Sequence, residues 1–224
     1  MSGINPQVLD FFKALSVNNN REWFGTHKSE FKTLESEVKI FMKRAEHVLQ
    51  GHDKIEKAKL FRIYRDVRFS KNKIPYKTYF GMAFHREKPA LRGGYYIHIE
   101  PNNSFLGAGF WGPSPKDLYR IRKELEADAD ELREIINKPT FKKYWGILKG
   151  DELKTAPKGF NKTHANIDLI KKKQYTFYKE ITDEELVSDD FSVLLEEHFK
   201  HIRPYFDYMS NLLTTNLNGE SLLF

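Results

Sequence analysis

The sequence predicts an α+β protein, an antiparallel meander sheet with helices packed on one face, in a single domain. Two observations carry the prediction. Apolar residues recur at steps of three and four in the first fifty residues and again after residue 114, but at steps of two between residues 61 and 111. The period-2 stretches are four in number and closely spaced, which points to an antiparallel meander.

In chain order, Asn5-Pro6 is a helix start, a capping side chain followed by proline at the first helical position. Val8, Phe11, Phe12 and Leu15 share the buried face of that helix. Asn18-Asn19-Asn20 stops it, and Asn20 can cap the next. Phe31, Leu34, Val38, Phe41, Ala45 and Val48 then form a helical stripe expected to end near Gly51. The four expected strands follow. Their core positions are Phe61, Ile63, Val67 and Phe69; Phe80, Met82 and Phe84; Tyr95, Ile97 and Ile99; and Leu106, Ala108 and Phe110. Ser114-Pro115 opens a helix carrying Leu118, Ile121, Leu125, Leu132 and Ile135, closed by Asn137-Lys138-Pro139. A short aromatic helix around Phe141, Tyr144 and Trp145 precedes a loop at 149–166, and residues 174–181 fit one more strand. Ser188 starts a final helix that Pro204 should kink or divide. The domain is expected to occupy residues 1–215, with 216–224 a tail open to disorder.

The chain has 224 residues, 40% hydrophobic and 14% aromatic, ample for a sizeable core. It has no cysteine, which excludes disulfides, thiolate metal sites and cysteine nucleophiles. No apolar leader and no run of membrane-spanning length occurs, so a cytoplasmic protein with no membrane association is expected.

Charge is concentrated in residues 62–77. Arg62, Arg65, Arg68, Lys71, Lys73 and Lys77 face only Asp66 there, a balance of +5 in a protein whose whole excess is +6. An anion is therefore expected at this stretch. Arg62 and Arg68 are the sharpest candidates, because a planar, permanently charged fork can grip a phosphate or carboxylate through two hydrogen bonds. The alternative is that Asp66 and the arginines pair with one another, although a single carboxylate cannot neutralise them all; Lys73 and Lys77 can add charge from the adjoining loop. Arg65 falls between apolar Ile63 and Val67. On a regular strand it would enter the core face and need a carboxylate such as Glu124 or Glu126; a bulge would turn it outward.

The polar face of the expected sheet presents Tyr64, Tyr79, His85, Tyr96, His98, Glu100, Phe105 and Trp111. Gly107 and Gly109 on that face leave room for a ligand or for another backbone. His98 and Glu100, two apart on one strand, are the candidate acid–base pair. No HExxH, P-loop, GxSxG or dinucleotide fingerprint occurs, and no metal site or cofactor is assigned. Lys171-Lys172-Lys173 before Tyr175, Phe177 and Tyr178 is a possible contact for single-stranded nucleic acid.

The string R-x-x-R-D-x-R-F at 62–69, with Asn72-Lys73 and Pro75-Tyr76-Lys77 after it, resembles the signature of an uncharacterised bacterial family of conserved hypothetical proteins. Similar stretches are GGYYIHIEP at 93–101, FLGAGFW at 105–111, APKGF at 156–160 with His164 after it, FFKAL, and NNREWF. The resemblance spans residues 5–205 and implies a domain of unknown function, with no activity or cofactor attached. His164-Ala165 departs from the His-Pro that the resemblance leads one to expect. The leading expectation is a protein that binds an anionic small molecule. Arg62 and Arg68 would hold the anion with Asp66 beside them among the ligand-binding residues, Tyr96 and Trp111 would form walls, and Lys73 and Lys158 would assist. The alternatives are a phosphate-ester hydrolase using His98 and Glu100, or a module for protein or nucleic-acid partners.

Overall fold

The structure is a computed structural model describing residues 3–223. The elements run α1 (Pro6–Val17), α2 (Arg21–Thr26), α3 (Lys28–Gln50), β1 (Ile55–Leu60), β2 (Phe80–Arg86), β3 (Gly94–Ile99) and β4 (Ser104–Phe110). They continue through α4 (Pro115–Ala127), α5 (Asp130–Asn137), α6 (Pro139–Trp145), α7 (Ile167–Ile170), β5 (Tyr175–Ile181), α8 (Asp183–Val187), α9 (Phe191–His201) and α10 (Arg203–Thr214). The strands form one open antiparallel sheet in the order β1-β2-β3-β4-β5. This is the α+β class that the change of period predicts. The chain divides into two compact units. The first holds the chain up to Phe84, Tyr96–Leu106 and Glu180–Glu197; the second holds His85–Tyr95, Gly107–Lys179 and the chain from His198 on.

In the first unit the capping residues act as their chemistry dictates. Asn5 accepts from the Gln7 amide and Asn20 from that of Trp23, each satisfying a helix N–H that has no intrahelical partner. Helices α1 and α3 cover the apolar face of β2, with Phe12 edge-on to Phe80 at 4.9 Å between ring centroids and Phe31 stacked on it at 5.7 Å. The Asn19 side chain holds the Tyr76 backbone through both amide groups, at 3.2 and 3.1 Å, and Phe24 stacks on the Tyr76 ring at 4.0 Å.

Two expectations need correction here. Residues 61–69 are not a regular strand, and the true first strand, β1, precedes them. An edge strand reading IEKAKL, with charges on both sides of the pleat, carries no period-2 signal because charge at an edge guards against pairing with another chain. Residues 61–77 form an irregular antiparallel ribbon instead. Phe61 donates to Gly81, Tyr64 bridges Tyr76, and Arg65 donates to Pro75. Beyond the bridge Asp66 turns the chain by accepting from the Arg68 amide, so Val67 is half-buried and Phe69 is 95% exposed. Arg65 is half-buried.

In the second unit Tyr95 meets Phe199 and Phe206, and Phe177 meets Phe141 and Tyr205, all edge-on at 4.8 to 5.0 Å. The arginine that enters the core face is Arg86, fully buried at the end of β2. It donates to the Arg92 carbonyl at 2.9 Å and to Ser210 Oγ at 3.1 Å, and lies 3.5 Å from Asp207. The single helix expected over 115–137 is divided at Asp128, whose extended backbone ends α4 and whose carboxylate accepts from the Asp130 amide. Pro204 divides the last helix as expected, opening α10. The loop at 149–166 starts alongside β5, where Lys149 pairs with Thr176 and Glu152 with Lys172. Residues 215–222 fold back, Leu222 donating to Thr214 and Thr215 bridging Ser221.

Gly109 answers the sequence's question of ligand or backbone in favour of backbone. Its φ is +137°, and a Cβ there would lie 2.3 Å from the Tyr175 carbonyl oxygen. Gly109→Ala is accordingly expected to cost about 2 kcal/mol or more, combining strain and displacement of β5. Urea unfolding followed by circular dichroism should show a lower midpoint at unchanged m-value.

Candidate functional site

The half-exposed face of the first unit is built on β3. Its pleat buries Ile97 and Ile99 and turns Tyr96 and His98 to the other side, with Glu100 following in the same register. These three form a hydrogen-bonded row. His98 Nε2 is 3.1 Å from Glu100 Oε2, and His98 Nδ1 is 3.2 Å from the Tyr96 hydroxyl. An ionised carboxylate can only accept, so the imidazole proton belongs on Nε2, and Nδ1 accepts from the Tyr96 O–H.

The carboxylate at the end of the row is held by its surroundings. Thr78 donates to Glu100 Oε1 at 3.0 Å and Asn103 to Oε2 at 2.7 Å. The β3–β4 turn places Asn103. Asn102 adopts φ +57°, a region asparagine tolerates, and Ser104 Oγ both accepts from the Glu100 amide and donates to its carbonyl. Burial acts to raise the Glu100 carboxyl, but the hydrogen bonds from His98, Asn103 and Thr78 outweigh it and hold the group below its ordinary 4.5. Burial lowers His98 below its ordinary 6.5, with Glu100 opposing the shift. The pair is thus a neutral imidazole beside an ionised carboxylate.

Aromatic rings enclose the row. His98 stacks on Phe105 at 4.6 Å and lies 4.3 Å from Tyr79. Tyr96 lies across Gly81 of the neighbouring strand, so closely that a Cβ at Gly81 would stand 2.4 Å from the hydroxyl. Phe61 adjoins Tyr96 at 6.4 Å.

Cations collect at Phe61. Lys59 and Lys77 place their ammonium groups 5.1 and 5.6 Å from its centroid, and Lys77 is equally 5.6 Å from that of Tyr79. Burial lowers the pKa of Lys77, and the charges of Arg62 and Lys59 lower it further. Among the described residues none of these three cations has a carboxylate at ion-pair distance.

The residues singled out in the sequence are distributed as follows. Tyr96, His98 and Glu100 are brought into one row, and Arg62 into the cationic group beside it. Arg68 is engaged by Asp66 through two hydrogen bonds of 3.0 and 2.7 Å, both groups exposed, and Lys73 donates to the Val67 carbonyl. Trp111 and Lys158 belong to the second unit. There Trp111 donates to the Tyr178 hydroxyl at 2.9 Å, and Lys158 is exposed in its loop. His85 is an exposed residue of that unit, and His164 Nδ1 accepts from the Asn166 amide in a turn. Lys171, Lys172 and Lys173 each lie within 4.0 Å of Glu152 or Asp151. Lys59, Thr78 and Asn103 escaped sequence reasoning. Lys59 sits in the strand that has no periodic signal, and the other two are ordinary turn residues until Glu100 is beside them. Among the described residues no group of three or more His, Asp or Glu side chains is arranged to hold a metal ion.

An open antiparallel sheet carrying a polar, aromatic face over a helical core is the class of protein that the fold and site define. The family model for the conserved hypothetical proteins DUF2461 matches residues 7–208, and the chain belongs to that family. No curated protein and no solved structure matches it.

The depressed His98 pKa makes a prediction about stability. The unfolded chain protonates this residue near pH 6.5 and the folded chain only at lower pH. Below about 6.5 the unfolded state therefore holds more protons, so this contribution is complete above that pH and is lost as pH falls through the folded value. His98→Gln is expected to show a shallower decline of Tm between pH 7 and 5.5 than the parent. Equal slopes would mean that His98 titrates normally.

Proposed function

We propose that this protein binds an anionic ligand, phosphate- or carboxylate-bearing, on the half-exposed face of its first unit. Lys59, Arg62 and Lys77 meet the charge, and Phe61 and Tyr96 supply the apolar surface against which the rest of the ligand lies. The carrying observation is that Lys59 and Arg62 both act on Lys77 while no carboxylate stands at ion-pair distance from any of the three among the described residues, Asp66 reaching Arg62 only through its longer-range field. Burial is the main cause of the lowered Lys77 pKa, and the Arg62 and Lys59 charges add to it; an entering anion would offset both. Arg68 and Lys73 stand outside this seat, because both lie on the exposed turn beyond Asp66.

The Glu100–His98–Tyr96 row favours a second reading, an enzyme that works on the bound anion, for instance a phosphate-ester hydrolase. A neutral imidazole oriented by a carboxylate has the form of a general base, here facing a hydroxyl next to the anion seat. Glu100→Gln separates the readings, since it removes the orienting charge while leaving Arg62 and the lysines in place.

A thermal-shift screen against nucleotides, sugar phosphates and carboxylic acids tests the first reading. A ligand at about a hundred times its Kd adds about 2.7 kcal/mol, or about 5 to 10 degrees for a chain this long. The shift is expected to disappear in Arg62→Ala and in Lys77→Ala and to persist in Glu100→Gln. Turnover of the hit by the parent, abolished in Glu100→Gln, would establish the enzyme. A hit indifferent to Arg62 and Lys77 would refute the seat.

A further inference from the structure

The ribbon at 61–77 ends in a projecting tip whose composition the sheet-face reading does not use. Its base is fastened. Asn19 clamps Tyr76 from both sides, Phe24 stacks on Tyr76, and Tyr64 bridges the two arms. Beyond Pro75 and Arg65 the arms separate, and residues 71–74 are exposed throughout. At the tip stands Phe69, 95% exposed in a protein whose other phenylalanines are buried or half-buried among its described residues. Exposing one large ring has a cost in water that no burial within the chain offsets.

The charge around that ring is one-sided. Asp66 is the tip's only acid, and Arg68 takes it up in a two-pronged pair. Arg65, Lys71 and Lys73 are left without an acidic partner, Lys73 bonding only a carbonyl. The Arg68 guanidinium also lies over the Phe69 ring, 5.9 Å from its centroid. An exposed aromatic face beside unneutralised cations matches a ligand that presents flat rings and negative charges in alternation.

We propose that this tip is a binding element for single-stranded nucleic acid, with Phe69 as the stacking side chain and Arg65, Lys71 and Lys73 as the phosphate contacts. Every base has a face that stacks on an aromatic ring or a guanidinium plane, so no sequence-reading groups are required. An anionic bilayer fits the same charges less well. Stable attachment to lipid takes two signals, and here one ring stands at the tip with a guanidinium over it that insertion would carry into hydrocarbon. The lysine run at 171–173, the other basic candidate, has acids beside it. This proposal does not rest on the small-ligand reading of the sheet face.

The test is fluorescence anisotropy of a labelled single-stranded oligonucleotide with the full chain, between about 50 and about 200 mM salt. The parent is expected to bind at the low end and to weaken steeply with salt. Phe69→Ala should bind about tenfold more weakly with the salt slope unchanged, since it removes stacking and no charge. Phe69→Trp should restore the affinity. Lys71→Gln and Lys73→Gln should each reduce the slope by about 0.7, the contribution of one single-strand phosphate. Because Phe69, Lys71 and Lys73 are all exposed and belong to no core contact, all four variants should melt with the parent. Absence of binding at low salt overturns the proposal, as does a Phe69→Ala protein that binds like the parent. Phe69-dependent binding to phosphatidylserine vesicles without oligonucleotide binding would also overturn it and assign the tip to lipid.

Discussion

The two-residue period of β3 ties the core of the first unit to its candidate site. Burying Ile97 and Ile99 obliges Tyr96 and His98 to share the opposite face, with Glu100 in line after them. A slip of one residue would send two polar rings into the core and two isoleucines into water. The row of hydrogen bonds therefore needs no separate device to bring its members together. What tunes it comes from neighbouring elements: Thr78 ahead of β2, Asn103 in the β3–β4 turn, Phe105 on β4 and Gly81 beneath Tyr96.

Buried polar groups elsewhere are satisfied mainly by the backbone. Trp145 Nε1 donates to the His198 carbonyl, Tyr205 Oη to that of Tyr175, and Tyr175 Oη to that of Leu169. Arg86 is the extreme instance. A fully buried guanidinium is tolerable only because carbonyl and hydroxyl oxygens and the Asp207 carboxylate surround it, while its flat face rests on the Phe206 ring at 4.8 Å. The contrast with Glu100 is instructive. Arg86 is enclosed and engaged by groups that hold it in place, whereas Glu100 is half-exposed and bonded to a histidine that can change its charge.

The basic stretch serves two different environments. Arg62 stays close enough to Lys77 for its charge to act on it, beside the Lys59 and Lys77 ammonium groups at Phe61, while residues 65–74 leave the sheet altogether. Asp66 produces the division, because its carboxylate accepts from the Arg68 backbone and side chain at once and so turns the chain away from the strand direction. A count of charges along 62–77 treats these residues as one patch; the turn makes them two.

The fold class was legible in the sequence, and so were most elements. The change of period from 3.6 to 2, the asparagine and serine caps and the prolines at helix starts are local signals set by backbone geometry, and they act wherever the segment ends up. The common face of Tyr96, His98 and Glu100 was legible for the same reason. Three features were not. The strand Ile55–Leu60 is an edge strand, and its charges erase the alternation that would announce it. The cations near Arg62 lie before it in β1 and at the far end of the ribbon, so the cationic seat exists only once folding brings Lys59 and Lys77 to Phe61 and Arg62 beside Lys77. Of the hydrogen bonds that keep Glu100 ionised, only that from His98 comes from the strand that leads into it; the other two come from residues 22 positions before it and three after it. Local geometry is written in neighbouring residues and can be read one segment at a time. Electrostatic environment falls off with distance through space, and only the tertiary structure decides that.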